Sequence, residues 1–137
     1  MTTGTDAAAS TVARAFLAAF DTHDPDAIAA LVSDDFRSDH MSALGARCDG
    51  REEYARRLPT FLAAFPGITY DVERIIAQDD TVAVEYHMRA VSEGHPVDVR
   101  GVMVLEVSGG LVRRRTDYWD SLGYLRQIGH APPIPSR

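Results

Sequence analysis

From Ile68 to Trp119 the chain alternates apolar and polar residues in four long runs, and this alternation limits the possible folds more than any other feature. The runs are Ile68–Gln78, Thr81–Ser92, Val97–Val107 and Leu111–Trp119. Between them lie Asp79-Asp80, Glu93-Gly94-His95-Pro96 and Ser108-Gly109-Gly110, all turn-forming sequences. Long strands joined by short connections predict an antiparallel meander. In the second run Val82, Val84, Tyr86, Met88 and Ala90 share one face, and Thr81, Glu85, His87 and Arg89 the other. In the third, Val97, Val99, Gly101, Met103 and Leu105 oppose Asp98, Arg100 and Glu106. A sheet with one apolar face must have that face covered.

The first half supplies the cover. Val12, Phe16, Leu17 and Phe20 recur at helical spacing over Thr5 to about Asp21. Asp24 is a capping residue and Pro25 suits a first helical position, so a short helix is expected to run to about Val32, burying Ile28 and Leu31. Phe36 to Ser42 reads as a short strand and residues 43–50 as a loop. Arg51 to Phe65 reads as a third helix that Pro59 should kink or split and Pro66-Gly67 should end. Ser121 to Ile128 has room for a fourth. Three to four helices laid on the concave face of a strongly curved antiparallel sheet give an α+β cone enclosing one apolar pocket. Residues 1–130 are expected to form one domain, and 131–137, with Pro132-Pro133-Ile134-Pro135, an extended tail.

Composition narrows the function. All 14 basic residues are arginine, so no side-chain amine is present to form a Schiff base, anchor pyridoxal phosphate or serve a phosphate loop. No Gly-x-Gly-x-x-Gly is present, and no cofactor is expected. The net charge of −6 disfavours nucleic acid as a partner. Arg113-Arg114-Arg115 is the one basic cluster, read as a strand with alternate arginines in solvent. No apolar run is long enough to span a bilayer, the N-terminus lacks the pattern of a signal peptide, and Cys48 is the only cysteine. A cytoplasmic location is expected. His87 and His95 sit on an outward strand position and in a turn, so no metal site is expected.

The segment Arg115-Thr116-Asp117-Tyr118-Trp119-Asp120-Ser121-Leu122-Gly123-Tyr124-Leu125-Arg126-Gln127-Ile128-Gly129 resembles the C-terminal signature of SnoaL-like proteins. These belong to the nuclear transport factor two-like superfamily, with the ketosteroid isomerases, polyketide cyclases and limonene epoxide hydrolases. The order of elements over nearly the whole chain is similar to that of the family. The resemblance implies a pocket aspartate at Asp117, where the epoxide hydrolases carry one acid of an Asp-Arg-Asp triad. The other two triad positions fall on Tyr86 and Met88, which supply neither a guanidinium nor a carboxylate. It places His40 on the strand where cyclase-like members often carry histidine. It also implies that Phe20, Leu58, Phe61, Phe65, Ile68, Val97, Val99 and Trp119 line the pocket, and that the outer sheet face makes a homodimer.

A carboxylate set among Trp119, Phe61, Met88 and Val99 would be desolvated, which suits an acid or base working near neutral pH. Proton abstraction beside a carbonyl needs one such base and one donor for the enolate oxygen. Asp117 is the candidate base, and His40 or Tyr86 the candidate donor. Asp117 can equally be a buried structural acid paired with Arg115, two residues away on the same face. The expected activity is a cofactor-free isomerase or aldol-type cyclase acting on a small, largely apolar carbonyl compound. The rivals are a non-catalytic ligand-binding or dimerisation domain, and a hydrolase that uses Asp117 without the usual triad.

Overall fold

The computed structural model describes residues 4–132 and Pro135. Its elements are α1 (Gly4–Ala19), a 3-10 turn (Phe20–Thr22), α2 (Pro25–Ala29), β1 (Val32–His40), β2 (Arg47–Asp49), α3 (Arg51–Ala64), β3 (Thr69–Gln78), β4 (Thr81–Ser92), β5 (His95–Ser108), β6 (Leu111–Trp119) and α4 (Ser121–Gln127). The six strands form one curved open sheet in the order β2-β1-β6-β5-β4-β3, so the expected α+β cone is what the chain adopts. The tail expected over residues 131–137 falls largely outside the described residues.

Helix α1 forms because Ala9, Ala13, Phe16 and Leu17 make one buried stripe at helical spacing, and Phe20 continues it. That stripe lies across β3 to β6. At its start the Asp6 carboxylate accepts the Asp79 backbone N–H at 2.6 Å, tying the helix to the β3–β4 turn. Asp24 caps α2 by accepting the Asp26 N–H at 3.0 Å, with Pro25 in the first turn. Asp120 caps α4 in the same way through the Gly123 N–H at 2.8 Å.

Five local expectations need correction. Pro59 does not split α3, which is continuous around it. The proline sits on an exposed side, where water can take the carbonyl it leaves unpaired. Strand β1 starts at Val32 rather than Phe36, and residues 47–49, read as loop, pair with it antiparallel as β2. The sheet is not wholly antiparallel, since β1 runs parallel to β6. Finally, the arginine cluster does not alternate. Glu106 pairs with Arg114 and Val107 with Val112, so Arg113 is an extra residue on β6 and forms a bulge. Arg113 and Arg114 both face solvent, and Arg115 turns into the core with 3% of its surface exposed.

The bulge decides what the pocket contains. Beyond it Arg115, Asp117 and Trp119 share the inner face of β6, beside Phe36, Ser38 and His40 on β1. Without the extra residue that parity would be reversed.

Candidate functional site

Two adjoining cavities lie between the sheet and the helices. The larger, about 200 Å³, is walled by Phe20, Ser38, His40, Ala46, Cys48, Tyr54, Arg57, Leu58, Phe61 and Arg115. The smaller, about 60 Å³, is walled by His40, Phe61, Phe65, Tyr70, Tyr86, Met88, Val99, Asp117, Trp119 and Tyr124. His40 and Phe61 belong to both walls. The single pocket expected from the sequence is thus a pair sharing one partition.

Of the residues singled out in the sequence, Asp117, His40, Tyr86, Trp119, Phe20, Leu58, Phe61, Phe65, Met88 and Val99 line one cavity or the other. Ile68 and Val97 line neither and are packed into the interior. Sequence reasoning passed over Ser38 as a wall residue, and also Tyr54, Tyr70 and Tyr124. Tyr54 was detectable, because it stands one helical turn before Leu58 on α3.

Asp117 sits at the centre of a buried polar cluster. Its Oδ1 accepts the Tyr86 hydroxyl at 2.6 Å, and its Oδ2 accepts Nη2 of Arg115 at 2.7 Å. Arg115 and Asp117 are both almost fully buried, so the pair is a desolvated one. The Arg115 guanidinium also stacks 5.8 Å from the ring centroids of Phe16 and Phe20, and Nη2 reaches the Tyr70 oxygen at 3.5 Å. Burial works against the Arg115 charge, but the Asp117 carboxylate and the tyrosines around it hold its pKa above the usual value. Burial, then the Asp117 charge, pushes the Tyr86 phenol upward, so Tyr86 remains a donor to the carboxylate.

His40 reaches this cluster from the neighbouring strand, with its ring edge-on to Trp119 at 6.5 Å between centroids. Burial, then the Arg115 charge, lowers its pKa from 6.5 to about 4, against the opposing pull of Asp117. The imidazole is therefore neutral at physiological pH and can donate an N–H without carrying charge. Cys48 is buried, and burial followed by the nearby Glu53 raises its pKa, which leaves an unreactive thiol. Among the described residues no group of three or more His, Cys, Asp or Glu is arranged to hold a metal ion. No helix among them is long and apolar enough to cross a membrane.

Comparison with known proteins agrees with this architecture. The profile of the SnoaL-like domain matches residues 13–115, and the chain belongs to that family. No protein of curated function matches it significantly. Solved structures with the same fold include a ketosteroid isomerase-like protein from Catenulispora acidiphila in complex with trimethylamine. It is 22% identical with a TM-score of 0.80, and the match covers 88% of this chain and 93% of that one. An LEH-like epoxide hydrolase from M. tuberculosis is 24% identical with a TM-score of 0.76, covering 90% and 94%. A candidate polyketide cyclase from Xanthomonas campestris is 22% identical with a TM-score of 0.79, covering 91% and 99%. These likenesses establish the fold, which hosts several chemistries.

Proposed function

We propose that the chain is a cofactor-free acid–base enzyme, an isomerase or aldol-type cyclase, acting on a small, largely apolar carbonyl compound. The observation that carries this reading is the neutral His40 imidazole on the partition between the two cavities, beside the Asp117 carboxylate. A Asp117 oxygen takes a proton from the carbon next to the substrate carbonyl. The electron pair moves to the carbonyl oxygen, and the His40 N–H stabilises the enolate formed there. Return of the proton to a different carbon completes an isomerisation, and attack of the enolate on a second carbonyl completes a cyclisation. Arg115 and Tyr86 hold the carboxylate in one orientation.

The test is deuterium incorporation. Wild-type protein in deuterated water is expected to exchange the protons next to the carbonyl of 1-decalone, followed by NMR. His40→Phe is expected to slow that exchange by about 10²-fold, the usual effect of losing an oxyanion donor. Binding of the ketone without exchange would remove the enzyme reading and leave a binding domain. That second reading draws on one observation: both Asp117 oxygens already have partners within the protein.

A homodimer through the outer sheet face belongs to the same proposal. Strand register brings Ala83, Val102, Val104 and Tyr118 together on that face, with Glu85 and Thr116 among them. Sedimentation of wild type against Val104→Asp tests it, with a dimer expected only for the wild type.

A further inference from the structure

Of the residues that wall the larger cavity, only Ala46 and Arg57 are exposed. They mark where that cavity reaches the surface. Ala46 ends the connection from β1 to β2, and Arg57 lies on α3. The mouth therefore falls in the seam between α3 and β2.

Two side chains of α3 close that seam. Arg57 Nη1 donates to the Arg47 carbonyl oxygen at 2.8 Å, next to Ala46. Its Nη2 donates to Glu53 Oε1 at 2.5 Å, and the other Glu53 oxygen accepts the Asp49 N–H at 2.9 Å. Strand β2 is an edge of the sheet. The Gly50 N–H turns inward to the Phe36 carbonyl on β1, so by alternation residues 47 and 49 present their main-chain groups to the open side. Arg57 and Glu53 thus stand where a further strand would pair. Beneath them Cys48 is buried, with 5% of its surface exposed.

The two sides of the seam are held differently. Helix α3 is anchored, with Tyr54 and Leu58 buried and Arg51 bonded to the Val32 carbonyl and to Asp34. The connection over residues 41–46 is tied at its base, where the Met41 N–H meets the Asp117 carbonyl at 2.7 Å, and then bonds to itself from the Gly45 N–H to the Ser42 carbonyl at 3.0 Å. Met41 and Leu44 are exposed on it. A segment with so few buried contacts opens at lower free energy than the core around it.

We infer that residues 41–46 together with β2 form a door to the larger cavity, latched by Arg57 and Glu53. When the bonds to residues 47 and 49 break, the seam parts and a small neutral molecule can enter beside Cys48. The inference concerns access alone and holds whatever reaction the site performs.

Cys48 is the only cysteine, and it lies in the cavity wall under the latch, so it reports the opening. The probe is methyl methanethiosulfonate, small and neutral, which gives its methylthio group to the thiolate and releases methanesulfinate. Labelling is followed by mass at mildly alkaline pH. Wild type is expected to label far more slowly than the urea-unfolded chain. Arg57→Met keeps the bulk of the side chain and loses the bonds. It is expected to label about tenfold faster than wild type, the scale of one lost hydrogen bond. Charge alone would act the other way, because Arg57 lowers the Cys48 pKa and its loss would slow the thiol. Arg56→Met removes the neighbouring arginine, which pairs with Glu52 and not with β2, and should label at the wild-type rate. Low urea should scarcely change the Arg57→Met rate, since a local opening exposes little surface. Unchanged or slower labelling of Arg57→Met overturns the inference. So does equal acceleration by Arg56→Met, or an Arg57→Met rate that climbs with urea along the slope of global unfolding.

Discussion

His40 stands directly across from Asp117 in the parallel pairing of β1 with β6, with both side chains on the inner face of the sheet. The imidazole therefore titrates between a carboxylate that favours its proton and a buried guanidinium that opposes it. Burial is the largest effect and the guanidinium adds to it, so the pKa falls from 6.5 to about 4. In the unfolded chain the same residue takes up a proton near 6.5, so between these values the unfolded state binds more protons. Stability from this group should be fully present above pH 6.5 and fall as the pH drops toward 4. Urea titrations of wild type and His40→Gln at several pH values in that window check this. The variant should show the shallower decline.

Asp117→Asn should be destabilising even if catalysis is ignored. The change leaves the Arg115 guanidinium buried without its counter-charge, and breaking one side of such a pair costs ~3–5 kcal/mol. The double variant Arg115→Met, Asp117→Leu should recover most of the loss, since it removes both charges. Urea unfolding at neutral pH measures both, and activity of the single variant must be read where it is still folded.

Tyr86→Phe deletes one hydrogen bond to a charged acceptor and leaves the ring in place. A loss of about 1.5–3 kcal/mol is expected. A negligible loss would mean that water replaces the hydroxyl, and with it that the smaller cavity is wet at Asp117.

Gly101 lies opposite Tyr86 on the neighbouring strand. A β-carbon there would collide with the Tyr86 hydroxyl and stand 2.6 Å from the Tyr118 carbonyl oxygen. Gly101→Ala should therefore cost at least about 1–3 kcal/mol, typical of overpacking. It should also weaken the Tyr86–Asp117 bond by displacing the phenol. Part of the loss should vanish on a Tyr86→Phe background, which a double-mutant cycle would read as coupling between the two sites.

The strands were legible where turn chemistry brackets them. The bounds 81–92 and 111–119 agree with β4 and β6, because Asp79-Asp80 and Ser108-Gly109-Gly110 leave little choice of register. Ser33, Asp34 and Asp35 look like loop residues, yet they continue β1 through an irregularity between Val32 and Arg37, with their side chains reaching solvent. Three residues of β2 carry no usable period. In the site, the apolar wall could be listed because each member stands on an apolar face. The partners of Asp117 were harder. Arg115 could be placed beside it by parity alone, but only the bulge at Arg113 removes Arg115 from solvent, and a bulge leaves no mark in the alternation until the neighbouring strand is known. Tyr54 and Tyr70 converge on Arg115 from separate elements, an arrangement that no local pattern encodes.

The parallel pairing of β1 with β6 also bears on how the molecule is made. On a ribosome, β1 emerges early with Phe36 and Ser38 ready for burial, but the strand that completes its inner side is the last of the six. Contacts so distant in sequence form slowly, because a long loop must close before they stabilise anything. Until then β1 and β5 both present open edges, each able to pair with another chain. The segment from Leu111 to Trp119 closes both gaps at once and brings Arg115, Asp117 and Trp119 with it. Folding and the assembly of the pocket therefore end in the same event, and a nascent chain released before β6 has emerged is left with two sticky edges and no site.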